Sequence, residues 1–184
     1  LQGIKAALAV RLKERMGTEK IHLREKELIE IAFRELADVK GLHILADNIN
    51  ERLGVFSFYI DNIHHNLVTR LLNDRFGIQV RGGCSCAGTY GHFLLRVDFS
   101  LSKEITDRIE AGDLSMKPGW IRLSLHPTMT DEELLFISES IKEVAEKGQE
   151  WAVDYVYDSH TNEYHHITEL NSDHQKYSFW FETD

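Results

Sequence analysis

The chain has 184 residues, 42% of them hydrophobic and 28% charged, which are ordinary proportions for a globular protein. No apolar run approaches the roughly 20 residues that span a bilayer. Its net charge of −9 is uneven: residues 131–184 hold 14 acidic and 3 basic side chains, against 16 and 18 in residues 1–130, which argues against nucleic acid and anionic membranes as partners.

Ile4, Leu8, Leu12 and Met16 recur every four residues and predict an amphipathic helix over 3–16, closed near Gly17. The chain opens on Leu1 within this pattern, as a segment cut from a longer protein would. Leu28, Ile29, Ala32, Phe33 and Leu36 form the apolar face of a second helix, with Gly41 as its stop. Short strands follow at 42–46 and 53–60; the second is apolar on both faces except at Ser57 and is therefore placed centrally. A helix is expected over 64–76, with Leu67, Val68, Leu71 and Leu72 inward and Gly77 ending it. A strand is expected over 78–81, broken by Gly82 and Gly83. Ile121, Leu123 and Leu125 alternate with Arg122 and Ser124 in a strand over 120–125. Thr130 and Glu133 have the spacing of a capping box, opening a helix that carries Leu134, Ile137, Ile141 and Val144. The whole predicts an α/β domain with a small mixed or antiparallel sheet packed with helices. Residues 1–17 read as an entering segment, 18–149 as the domain, and 150–184 as an acidic, aromatic tail with strand-like stretches at 151–157 and 177–182.

The densest chemical signal is Arg81-Gly82-Gly83-Cys84-Ser85-Cys86-Ala87-Gly88-Thr89. Glycines let such a loop turn sharply and present a side chain, and a thiol near Arg81 and free backbone N–H groups can ionise easily and act as a nucleophile. The plainer reading is a glycine turn with two inert cysteines. Cys84 and Cys86 are too close for an unstrained bridge, so no disulfide framework is expected and a reducing cytoplasm fits. Arg122, in mid-strand, needs a partner or a cleft; a planar guanidinium suits two-pronged capture of a carboxylate, and a structural ion pair is the alternative. Cys84, Cys86, His92 and the pairs His64–His65 and His165–His166 raise a metal reading, but none has ligand spacing on a regular element, so no metal is expected.

The run 77–87, the preceding 53–58 and the pair formed by 120–125 with 130–133 resemble, in order and spacing, the class V aminotransferase-fold enzymes, above all cysteine desulfurases and selenocysteine lyases. The resemblance covers about residues 1–148. It implies the C-terminal small domain of a pyridoxal-phosphate enzyme, with Cys86 as the persulfide-forming nucleophile and Arg122 as the group that binds the substrate α-carboxylate. Cys84 and Arg81 are auxiliary candidates. It further implies a cysteine or selenocysteine substrate, a sulfur-acceptor protein and a homodimer for the intact enzyme. The cofactor lysine would lie in a large domain upstream, so none of the residues here is expected to bind the cofactor and the chain alone is expected to be inactive. Cys84 stands where desulfurases often carry histidine, Gly88-Thr89 departs from the usual continuation, and the tail has no counterpart. An aminotransferase or epimerase relative, a non-catalytic interaction domain and a metal-binding protein are the alternative readings.

Overall fold

A computed structural model describes residues 1–84 and 88–170; Cys86 and the aromatic stretch 177–182 lie outside the described residues. Helix α1 (Gln2–Met16) is followed at once by α2 (Thr18–Leu36), the turn between them made by Gly17 at φ 84°. The apolar stripe of α2 buries Leu28, Ile29, Ala32 and Leu36, whereas α1 buries nothing. Strands β1 (Leu42–Ile44) and β2 (Val55–Ile60) lead into α3 (His65–Phe76), which His64 caps by accepting the Asn66 N–H and Gly77 ends at φ 68°. Then come β3 (Arg81–Gly83), α4 (Gly88–Leu94), α5 (Phe99–Glu110), β4 (Trp120–Ser124) and α6 (Asp131–Trp151). The capping box of α6 is formed in both directions, Thr130 accepting from the Glu133 N–H at 3.1 Å and Glu133 from the Thr130 N–H at 2.8 Å.

The four strands form one antiparallel sheet in the order β1-β2-β4-β3, so β2 is central, as its composition predicts. Helices α2, α3 and α6 cover one face. Phe56 and Phe58 of β2 and Ile121 and Leu123 of β4 meet Leu28, Leu36, Leu71, Leu72, Leu134 and Ile141 there in a single core. Each such side chain contributes ~1.5–3 kcal/mol by leaving water. No helix among the described residues is long and apolar enough to cross a membrane.

Two local expectations are corrected. The strand expected over 78–81 starts only at Arg81, because the Ile78 N–H is spent on the Leu72 carbonyl that closes α3. Gly82 and Gly83 continue the strand rather than break it: a Cβ on Gly82 would lie 2.6 Å from Thr69 Oγ1 and 2.8 Å from Asn66 Oδ1, so glycine is what lets β3 lie against α3. Away from the core, β2 is less covered, with Leu53 just before it 71% exposed and Val55, Ser57 and Tyr59 half-buried. Helices α4 and α5, with Asp98 capping α5 through the Leu101 N–H, occupy a stretch without an expected element.

Beyond α6 a 3-10 turn leads to a hairpin of β5 (Tyr155–Asp158) and β6 (Glu163–His166), then to the short α7 (Ile167–Leu170). The hairpin is tied to α3 at several points. The Tyr155 hydroxyl donates to Asp74 at 3.1 Å, the Asn66 amide donates to the Asn162 carbonyl at 2.5 Å, and Arg70 pairs with Glu169.

Candidate functional site

Strand alternation puts Val55, Ser57 and Tyr59 of β2, Trp120, Arg122 and Ser124 of β4, and Arg81 and Gly83 of β3 on the sheet face turned away from α2, α3 and α6. Ser57, Arg122 and Arg81 are register partners and form one row across three strands. The hydroxyl and two guanidinium groups thus stand side by side on a largely open surface. Both arginines are exposed, and neither side chain makes an ion pair or hydrogen bond with another described residue.

Trp120 lies on the same face yet is only 6% exposed. Helix α4 accounts for that: a Cβ on Gly91 would stand 3.3 Å from Trp120 Cζ3 and 3.2 Å from Cys84 Sγ, so this glycine allows α4 to approach both. Tyr90 and Leu94 of α4 then form one side of a cleft of about 480 Å³ whose floor is Ser57, Trp120 and Arg122 and whose far wall is Leu45, Ala46, Ile49 and Arg52. Apart from Arg52, Arg122 and Ser57 the lining is apolar, and charge-assisted hydrogen bonds to a carboxylate strengthen as such surface lowers the local dielectric.

Sequence-derived candidates are therefore dispersed as follows. Arg81 and Arg122 come together in the row. Cys84 is half-buried beside Gly91 at the end of β3. Cys86 lies outside the described residues. The histidines do not converge: His92 bonds Ser102 at 3.1 Å, His166 bonds Thr168 at 2.7 Å, and His64 stacks on His65. Among the described residues no three His, Cys, Asp or Glu side chains are grouped to hold a metal. Trp120, Ser57, Tyr90 and Arg52 are cleft residues that the sequence reading did not single out. Trp120 was within reach, since it lies two residues before Arg122 on the same strand face. Arg52 was not, because its position depends on a loop with no periodicity.

Residues 2–136 match the family model described as aminotransferase class-V. Probable cysteine desulfurases of Staphylococcus aureus and Staphylococcus epidermidis are 34% and 37% identical to the chain over 87 residues, which is 47% of this chain and 21% of theirs. The chain thus matches about a fifth of the length of these curated relatives. The apo cysteine desulfurase of Thermococcus onnurineus NA1 superposes with a TM-score of 0.53 at 23% identity, over 74% of this chain and 29% of that one, which is a likeness of fold.

Proposed function

Because the chain belongs to the aminotransferase class-V family, we propose that its open sheet face is the substrate-carboxylate side of a pyridoxal-phosphate-dependent enzyme of the cysteine desulfurase type. The observation that carries this reading is Arg122: a cation on the floor of a mostly apolar cleft, with no partner among the described residues. In this reading Arg122 grips the α-carboxylate of cysteine in the two-pronged manner of a guanidinium. Arg81, next to it in the row, adds positive potential that draws anionic substrates in. Tyr90, Leu94 and Ile49 supply apolar surface beside that ion pair. Cys86 receives the substrate sulfur: the substrate's carbon–sulfur bond breaks, an S–S bond to Cys86 forms, and alanine remains. Cys84 is an auxiliary thiol, and a sulfur-acceptor protein then removes the persulfide sulfur.

Pyridoxal phosphate supplies the electron sink in such enzymes. The residues of this cleft do not fit it: no lysine and no carboxylate lines the cleft, so neither an amine for its aldehyde nor an anion for its ring nitrogen is offered. We place its attachment in other parts of the intact enzyme, and the roles given to Arg122, Arg81 and the cysteines concern substrate grip and sulfur capture alone.

In the intact enzyme, Arg122→Lys keeps the charge and loses the two-pronged geometry. Hydrogen bonds to charged groups are worth ~1.5–3 kcal/mol, so KM for L-cysteine should rise roughly 10- to 150-fold. A wild-type KM would return Arg122 to a structural role. Persulfide labelling should be lost in Cys86→Ala and largely kept in Cys84→Ala. Normal turnover of both cysteine variants with an amino-group acceptor would instead place the enzyme among the aminotransferases.

A further inference from the structure

The geometry points to Arg52 as the positioning residue of the Arg122 cleft, an inference that rests on Arg122 being the carboxylate-binding group. Arg52 closes the loop between β1 and β2, whose Leu45, Ala46 and Ile49 form the far wall of the cleft. Its planar group donates from Nε to the Ile49 carbonyl at 2.7 Å, from Nη1 to the Leu45 carbonyl at 3.3 Å, and from Nη2 to the Ala46 carbonyl. Three carbonyls of one wall thus converge on a single rigid fork. The fork itself is seated on the core, 5.0 Å from the Phe33 ring centroid and 5.7 Å from that of Phe56.

The wall needs such a clamp. Ala46 has φ 53°, a left-handed backbone that an alanine seldom adopts. Its carbonyl is held from two sides, by Arg52 and by the Ile49 N–H at 3.0 Å. The wall is also joined to the floor: the Leu45 N–H donates to the Ser57 carbonyl at 2.8 Å, and Ser57 is the register partner of Arg122. A wall released by loss of the fork would therefore widen the cleft opposite Arg122 and loosen the seat of the bound carboxylate. Arg52 acts through the wall, and a lysine cannot replace it, since one ammonium on a flexible stem does not bridge three carbonyls in a plane.

The test uses the intact enzyme with L-cysteine and compares wild type, Arg52→Lys and Arg122→Lys, with hydrogen exchange of amides 45–53 measured alongside. In Arg52→Lys we expect KM up about 10-fold, kcat within about twofold, and faster exchange in the wall. Adding Ala46→Gly to Arg52→Lys should recover part of both KM and exchange protection, because glycine takes the left-handed backbone unaided; this double variant also serves if Arg52→Lys alone folds poorly. A wild-type KM in Arg52→Lys beside a raised KM in Arg122→Lys overturns the role of Arg52 and leaves the reading of Arg122 standing. The reverse pattern overturns the reading of Arg122 and leaves Arg52 as keeper of the wall. Reduced stability of Arg52→Lys with KM and wall exchange at wild-type values makes Arg52 a core residue only and sinks the inference.

Discussion

Two imidazole rings, His64 and His65, stack with centroids 4.1 Å apart at the start of α3. His64 Nδ1 accepts the Asn66 N–H that caps the helix, which leaves the ring proton on Nε2, and neither His64 Nε2 nor His65 Nε2 has a partner among the described residues. Burial pushes His65 down to about 3, and the nearby His64 and Lys117 act in the same direction. Tyr157 and Tyr164 of the hairpin stand over His64 at 5.4 and 5.5 Å, so the face they present carries no acid to stabilise an imidazolium. An unfolded chain takes up the His65 proton near pH 6.5, so between there and about pH 3 the unfolded state binds the extra proton. Stability contributed by neutral His65 is complete above 6.5 and is lost as pH falls through that window, by up to ~1.4 kcal/mol per pH unit. Urea midpoints measured from pH 7.5 to 4.5 should fall more steeply in wild type than in His65→Phe, which keeps a flat ring and has no proton to gain. Parallel slopes would mean that His65 is solvated in the native state.

At the scale of elements, β3 is seated closely against α3 through Gly82. A Cβ on Gly82 would meet Thr69 Oγ1, Asn66 Oδ1 and, at 3.3 Å, the His65 carbonyl. The hydroxyl of Thr69 is already bonded to that carbonyl at 3.0 Å and the Asn66 amide to Asn162, so neither neighbour is free to yield. Gly82→Ala should cost ~1–3 kcal/mol as an overpacked site, lowering Tm by about 2–4 °C for each kcal/mol. The same change displaces the strand that precedes Cys84, so altered thiol labelling of Cys84 should accompany it. Thr130→Ala, by contrast, removes one half of the α6 capping box far from the cleft. It should cost ~1 kcal/mol in thermal or urea unfolding with no change in thiol labelling. A Gly82→Ala variant that melts like wild type would mean that β3 stands off α3 in solution.

For the whole molecule, two surfaces of the described residues are left uncovered. The sheet face bearing Arg122 is open, and Ile4, Leu8 and Leu12 of α1, which the sequence marks as an apolar stripe, are 66%, 60% and 58% exposed. With no lysine in the cleft, this chain mixed with pyridoxal phosphate and borohydride should be labelled at several surface lysines rather than one, as peptide mapping would reveal. Stoichiometric labelling of a single lysine would overturn the placement of the cofactor outside this chain. Much of the fold was legible in short-range signals. The apolar stripes of α2, α3 and α6, the Thr130–Glu133 capping box, the left-handed Gly77 stop and the Ile121-Arg122-Leu123 alternation each act within a few residues, so periodicity and capping chemistry determine them from the sequence alone. That same alternation places Arg122 opposite the core and makes it a site candidate. Tertiary structure alone decided the rest: the seating of β3 against α3 through Gly82, the cover that α4 lays over Trp120, and the grip of Arg52 on three wall carbonyls. The physical reason is that these depend on close approach between segments distant in the chain, or on a loop without repeat, where no local preference specifies which backbone groups will meet.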